Sequence, residues 1–115
     1  MIAQHPERDQ IRLENVLAAL GNPIRLNIVR ILAQRGEQAC GTVGADLDAT
    51  MSKSTLTHHW RVLRDSGVIW QRPAGRENLL SLRTEDLAER YPGLLPSILG
   101  CAQETEKAPL TASAG

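Results

Sequence analysis

Between Ser52 and Gly67 the chain carries the segment that most restricts its fold. Leu56, Trp60 and Leu63 recur on one side of a helix, while Ser54, Thr57, His58 and Arg61 fall on the other. Such a helix lays its apolar stripe on a core and keeps a polar, partly cationic face outward. Ser52 is placed to cap its first turn and Gly67 to end it as the C′ residue, which predicts a helix over 52–66. Before it, Thr42–Leu47 reads as a short helix with Val43 and Leu47 at i, i+4, joined through the turn Asp48-Ala49-Thr50-Met51. After it, Val68–Arg72 and Leu79–Leu82 read as strands separated by the turn-forming Pro73-Ala74-Gly75-Arg76. Two short helices across a tight turn, followed by a basic hairpin, make a helix-turn-helix with a wing.

The flanking segments are helical as well. Pro6, Glu7, Arg8 and Asp9 predict a helix start, followed by the stripe Leu13, Val16, Leu17 and Leu20, and Gly21 ends it. Asn22 and Pro23 predict the cap and first position of a second helix. Ile24, Leu26, Ile28, Val29, Ile31 and Leu32 make this helix apolar on more than one side, hence central, and Gly36 stops it. Thr84 caps a short helix through Glu89, and Pro92 opens a last one with Leu94, Leu95, Ile98 and Leu99 as its apolar face. Phe is absent and the aromatics are Trp60, Trp70 and Tyr91, so the core must come from Leu, Ile, Val and Ala, which suits helix packing. The expected fold is mainly α with a small β-hairpin, a winged helix-turn-helix over 1–104, with 105–115 a disordered tail of small and polar residues.

The formal charge is zero, but its distribution is uneven. Residues 51–83 carry six Lys/Arg against two Asp/Glu, and acidic flanks cancel that excess. An α-helix fits the major groove of duplex DNA, where its exposed N-terminal residues reach base edges. Ser52, Ser54, Thr55, Thr57 and His58 offer adaptable hydrogen bonding there, and Lys53 and Arg61 neutralise phosphates or read guanine. Arg72 and Arg76 flank the hairpin tip and suit the adjacent minor groove or backbone. The expected partner is double-stranded DNA. A winged helix used for protein–protein contact is the competing class, but its exposed face would favour aromatic anchors over Ser54, Thr57, His58 and Arg61. No Gly-rich phosphate loop, nucleophile motif or paired-carboxylate constellation points to an enzyme, and no cofactor is expected. His58 and His59 point about 100° apart on a helix and cannot chelate one metal well, so no metal site is expected; His59 packs beside the core instead. With no apolar leader, no membrane-length apolar run and two cysteines, the expectation is a cytoplasmic protein that does not enter a membrane.

The run Leu20-Gly21-Asn22-Pro23-Ile24-Arg25-Leu26-Asn27-Ile28-Val29 resembles the second-helix pattern of the ArsR/SmtB family of bacterial repressors. Ser52 through Ile69 resembles that family's recognition helix, with Trp60 where Leu is usual, and Gly75-Arg76 falls where its wing has Gly-Arg. The resemblance covers about residues 13–99. It implies a homodimer built on the first and last helices, with Leu13, Val16, Leu17 and Leu20 and Leu94, Leu95, Ile98 and Leu99 as the interface, binding a palindromic operator. The family's metal-sensing branches carry Cys-x-Cys near the third helix, or histidines on the last. Here Ala39-Cys40-Gly41-Thr42 holds a single thiol and the last helix has no His. Some members sense oxidants or reactive sulfur through cysteine pairs, which makes Cys40 and Cys101 a candidate dithiol switch. The alternative is two cysteines acting as small buried hydrophobes.

Overall fold

The computed structural model describes residues 5–47 and 51–107, with side chains up to residue 100. The expected turn at 48–50, the Cys101 side chain and the tail beyond Lys107 lie outside the described residues. The chain divides into two compact units, 1–83 and 84–115.

The first unit begins with a 3-10 turn, Arg8–Gln10, rather than the α-helix that Pro6 suggests. Ile11 and Arg12 are extended, and α1 runs only over Leu13–Leu20. The break turns Ile11 into the core, where it is almost fully buried. It lies so close to Gly67 that a Cβ there would sit 2.5 Å from Ile11 Cγ1. Gly67 also holds φ at +89°, so conformation and space both require glycine.

Helix α2, Pro23–Arg35, starts as its sequence indicates: Asn22 Oδ1 accepts from the Ile24 and Arg25 amides at 2.9 and 3.1 Å. It buries Ile28, Val29, Ile31 and Leu32, and Gly36 caps its end. A two-residue strand, β1 (Gln38–Ala39), leads into α3, Cys40–Asp46. This helix begins two residues before the expected Thr42, because its Gly41 amide finds a distant cap in the Glu77 carboxylate at 3.1 Å. Helix α4 covers Lys53–Asp65, with Ser52 Oγ accepting from the Thr55 amide at 3.1 Å. The close approach of α3 and α4 shows at Gly44, where a Cβ would come 3.3 Å from Leu56 Cδ1.

Strands β2 (Ile69–Ala74) and β3 (Glu77–Leu82) pair antiparallel from Ile69↔Leu82 to Ala74↔Glu77, leaving a two-residue turn at Gly75-Arg76. The hairpin is therefore longer than its apolar runs suggest, and Pro73 sits inside it opposite Asn78. The sheet order is β1-β3-β2, so β2 is an edge. Pro73 lies two residues from Gln71, whose amide points away from the sheet, so its missing N–H costs the ladder nothing. The β1 pairing, Gln38↔Leu80 and Ala39↔Leu79, has no signal in so short a segment. Val16, Ile28, Val29, Val43, Leu63, Val68, Ile69 and Leu80 are fully buried.

The second unit comprises α5, Thr84–Arg90, and α6, Leu94–Lys107, which pack on each other. Glu85 and Asp86 in the first turn of α5 and Arg90 in its last suit the helix dipole. Leu87 and Leu95 are buried, and Leu94, Ile98 and Leu99 half-buried. Helix α6 starts after Gly93, later than Pro92 suggests. No single helix among the described residues is long and apolar enough to cross a membrane.

Candidate nucleic-acid interface

Helix α4 is amphipathic as its spacing requires. Trp60 and Leu63 are buried and Leu56 half-buried, while Lys53, Ser54, Thr55, Thr57, His58 and Arg61 are exposed. At its N-terminus the hydroxyls form a local cluster. Ser52 Oγ lies 2.9 Å from Thr55 Oγ1 and 3.2 Å from Ser54 Oγ. These three side chains therefore shape the first turn, and Lys53, Thr57, His58 and Arg61 project from the helix that turn begins.

The adjacent histidines part company. His58 is exposed, whereas His59 is buried, with Nδ1 3.3 Å from an Arg25 guanidinium nitrogen. Arginine only donates, so Nδ1 accepts and the ring is neutral in this contact. Burial first, then the Arg25 and His58 charges, hold the His59 pKa below its ordinary 6.5. The same guanidinium donates to the Ala19 carbonyl at 2.8 Å and reaches the Ala18 carbonyl at 3.5 Å. Arg25 thus satisfies carbonyls at the C-terminal end of α1 and fastens α4 to them. The α2 motif contains this residue, but its spacing does not announce the role.

The six cations of residues 51–83 separate into two groups. Arg64 pairs with Asp65 at 3.1 Å and donates to Gln71 Oε1. Arg72 makes a two-pronged contact with the Glu37 carboxylate, both distances 3.0 Å. Arg83 is almost fully buried, its guanidinium 3.8 Å from the Trp70 ring centroid and donating to the Pro6 carbonyl at 2.7 Å. Lys53, Arg61 and Arg76 are exposed and have no ion pair among the described residues. Arg76 stands at the hairpin tip, Arg61 on the outer face of α4 and Lys53 at its start. Sequence counting finds the positive segment, but only the folded contacts show which charges stay available. Glu37 escapes notice because it precedes the site by more than thirty residues.

The α1 stripe also divides. Val16 and Leu20 belong to the unit's own core, while Leu13 and Leu17 are 40% and 46% exposed. Cys40, half-buried at the start of α3, has its thiol pushed up to about 11 by burial and by the Glu77 carboxylate.

Comparison with known proteins places this arrangement. A family model described as a helix-turn-helix domain matches residues 20–72. An uncharacterized HTH-type transcriptional regulator of Bacillus subtilis, YceK, is 33% identical over 91 residues, covering 78% of this chain and 88% of the relative. The solution structure of a homodimeric winged helix-turn-helix DNA-binding domain from Mycobacterium bovis, a possible ArsR-family regulator, superposes with a TM-score of 0.64. It is 25% identical and covers 88% of this chain and 87% of that one. The transcriptional repressor BigR from Xylella fastidiosa shares the fold, with a TM-score of 0.62 at 22% identity over 85% of this chain and 88% of its own. With its capped α4, its short helix before it and its hairpin after it, the chain belongs to the ArsR family of winged helix-turn-helix, DNA-binding transcriptional regulators.

Proposed function

We propose that this regulator is a repressor that binds a palindromic operator as a homodimer, with α4 in the major groove and the β2–β3 hairpin along the flanking backbone. One observation carries the reading. The outer face of α4 presents Lys53, Thr57 and Arg61 exposed and without an ion pair among the described residues, while His59, Trp60 and Leu63 fix the inner face in the core. A rigid helix with unspent donors on its outer side suits readout of base edges and phosphates. Ser52, Ser54, Thr55 and His58 complete the surface presented to the groove. Arg76 supplies a free charge at the wing tip, and Arg72 reaches phosphate by exchanging Glu37 for it. The related domain from M. bovis is homodimeric, and the exposed Leu13 and Leu17 of α1, with the apolar face of α6, are the surfaces assigned to the partner.

Selection of bound duplexes from a random pool supplies the operator. On that duplex, replacing Thr57 and Arg61 together by Ala weakens binding by about 1–3 kcal/mol for each base-edge interaction removed, with the melting temperature unchanged. A folded double variant with wild-type operator affinity removes α4 from the reading role.

A further inference from the structure

The base of the wing is gripped by residues from the start of the chain. Strand β2 is an edge, and the Gln71 amide on its outer side donates to His5 Nε2 at 2.9 Å. The His5 ring meets the Trp70 ring edge-on, centroids 5.1 Å apart. On Trp70 also rests the Arg83 guanidinium, at 3.8 Å from the centroid, which reaches back to the Pro6 carbonyl at 2.7 Å. Trp70 belongs to β2, and Arg83 directly follows β3. His5 and Pro6 thus touch the root of both wing strands at once.

We infer that the His5–Pro6 segment is a latch that sets the angle of the wing, with His5 a positioning residue for DNA binding that touches no DNA itself. This rests on the wing contact proposed above. A two-stranded ribbon is marginally stable alone and takes its direction from what holds its root. Here β1 supports the β3 side with only two residue pairs, and the outer side of β2 has the His5 contact in place of a further strand. An exposed edge amide would otherwise be free to pair with another chain. The accepting Nε2 must be an unprotonated imidazole nitrogen, and the Arg83 guanidinium lies over the same Trp70 ring that His5 meets. Arg83 is buried on that indole face and so ties the latch to the strand that returns from the tip. With the latch formed, Arg76 is delivered to one place on the backbone. Without it the tip samples many directions and the contact is diluted.

The test is a double-mutant cycle on the selected operator, using wild type, His5→Ala, Arg76→Ala and the double variant, each with its salt slope and its tryptophan emission. Trp60 is buried in α4, so an emission change on replacing His5 reports Trp70. His5→Ala should shift that emission without DNA, weaken binding by about five- to tenfold and lower the salt slope by about one, as Arg76→Ala does. The double variant should then bind only slightly more weakly than either single one, because both remove the same interaction. His5→Gln, whose Oε1 stands close to where Nε2 was, should restore affinity and slope. Additive effects, a silent His5→Ala, or failure of His5→Gln to rescue overturn the latch while leaving the wing contact standing. If Arg76→Ala itself changes nothing, the wing contact falls and the positioning role falls with it, whatever the emission shows.

Discussion

At the residue scale, two side chains that a sequence treats alike behave differently in the fold. Arg72 and Arg76 both flank the hairpin tip, yet Glu37 holds Arg72 with two hydrogen bonds and Arg76 has no such partner among the described residues. Neutralising Arg76 should lower the salt slope of duplex binding by about one, and neutralising Arg72 by clearly less. Glu37→Gln should raise affinity for all duplexes alike, since it frees a cation without adding a base contact. Equal slopes for the two arginine variants would show that the Glu37 pair does not restrain Arg72. His59 makes a second prediction. Its folded pKa is lowered, so the unfolded chain takes up the proton first as pH falls. The stability it contributes is complete above the ordinary 6.5 and declines as pH drops through that value toward the lower folded one, then levels off. His59→Asn keeps an acceptor near the Nδ1 position and does not titrate. Denaturant midpoints measured from pH 8 to about 5 should therefore fall less steeply in that variant than in wild type. Parallel curves would place the pH dependence elsewhere.

At the scale of elements, the junction between α4 and the wing depends on Gly67, with the extended Ile11 pressed against it. Gly67→Ala adds a Cβ into Ile11 and a side chain at a left-handed φ, and should cost about 2–4 kcal/mol. Trimming Ile11 to Ala in the same chain removes the clash but not the backbone strain, so the double variant should be less destabilised than the sum of the two single variants. Strict additivity in thermal or denaturant unfolding would mean that the two residues do not meet. The α4 N-terminus is a more local matter: Ser52 caps it, and that was legible from sequence because a capping hydroxyl lies within the same turn as the amide it serves. The start of α3 was not legible, because its cap comes from Glu77 on the far side of the hairpin turn.

For the whole molecule, the homodimer proposed above raises the question of which apolar surface a second copy would cover. Val16 and Leu20 are already spent on the core, so the α1 contribution to a dimer reduces to Leu13 and Leu17. Replacing both by Glu removes apolar surface that the monomer leaves exposed, and should leave the secondary structure intact while halving the mass in solution. Operator binding should drop steeply in the same variant, because two half-sites held together bind far more tightly than one. A double-Glu variant that keeps the dimer mass would move the interface away from α1.

The sequence by itself determined the order of the α-helices and the hairpin and the two faces of α4. Asn22-Pro23, Ser52 and the Leu56/Trp60/Leu63 spacing act within one or two turns, so the physics that decides them is written in neighbouring residues. It also marked the positive third of the chain, since charge is a property of composition. Tertiary structure alone decided which of those charges remain available. Arg83 is buried over Trp70, Arg72 is taken by Glu37, and Lys53, Arg61 and Arg76 are exposed with no ion pair among the described residues. It alone brought His5 to the edge of β2 and Arg25 beneath His59. These contacts join residues tens of positions apart. No local periodicity encodes such a pairing; it exists only once packing of the core has fixed where each backbone segment runs.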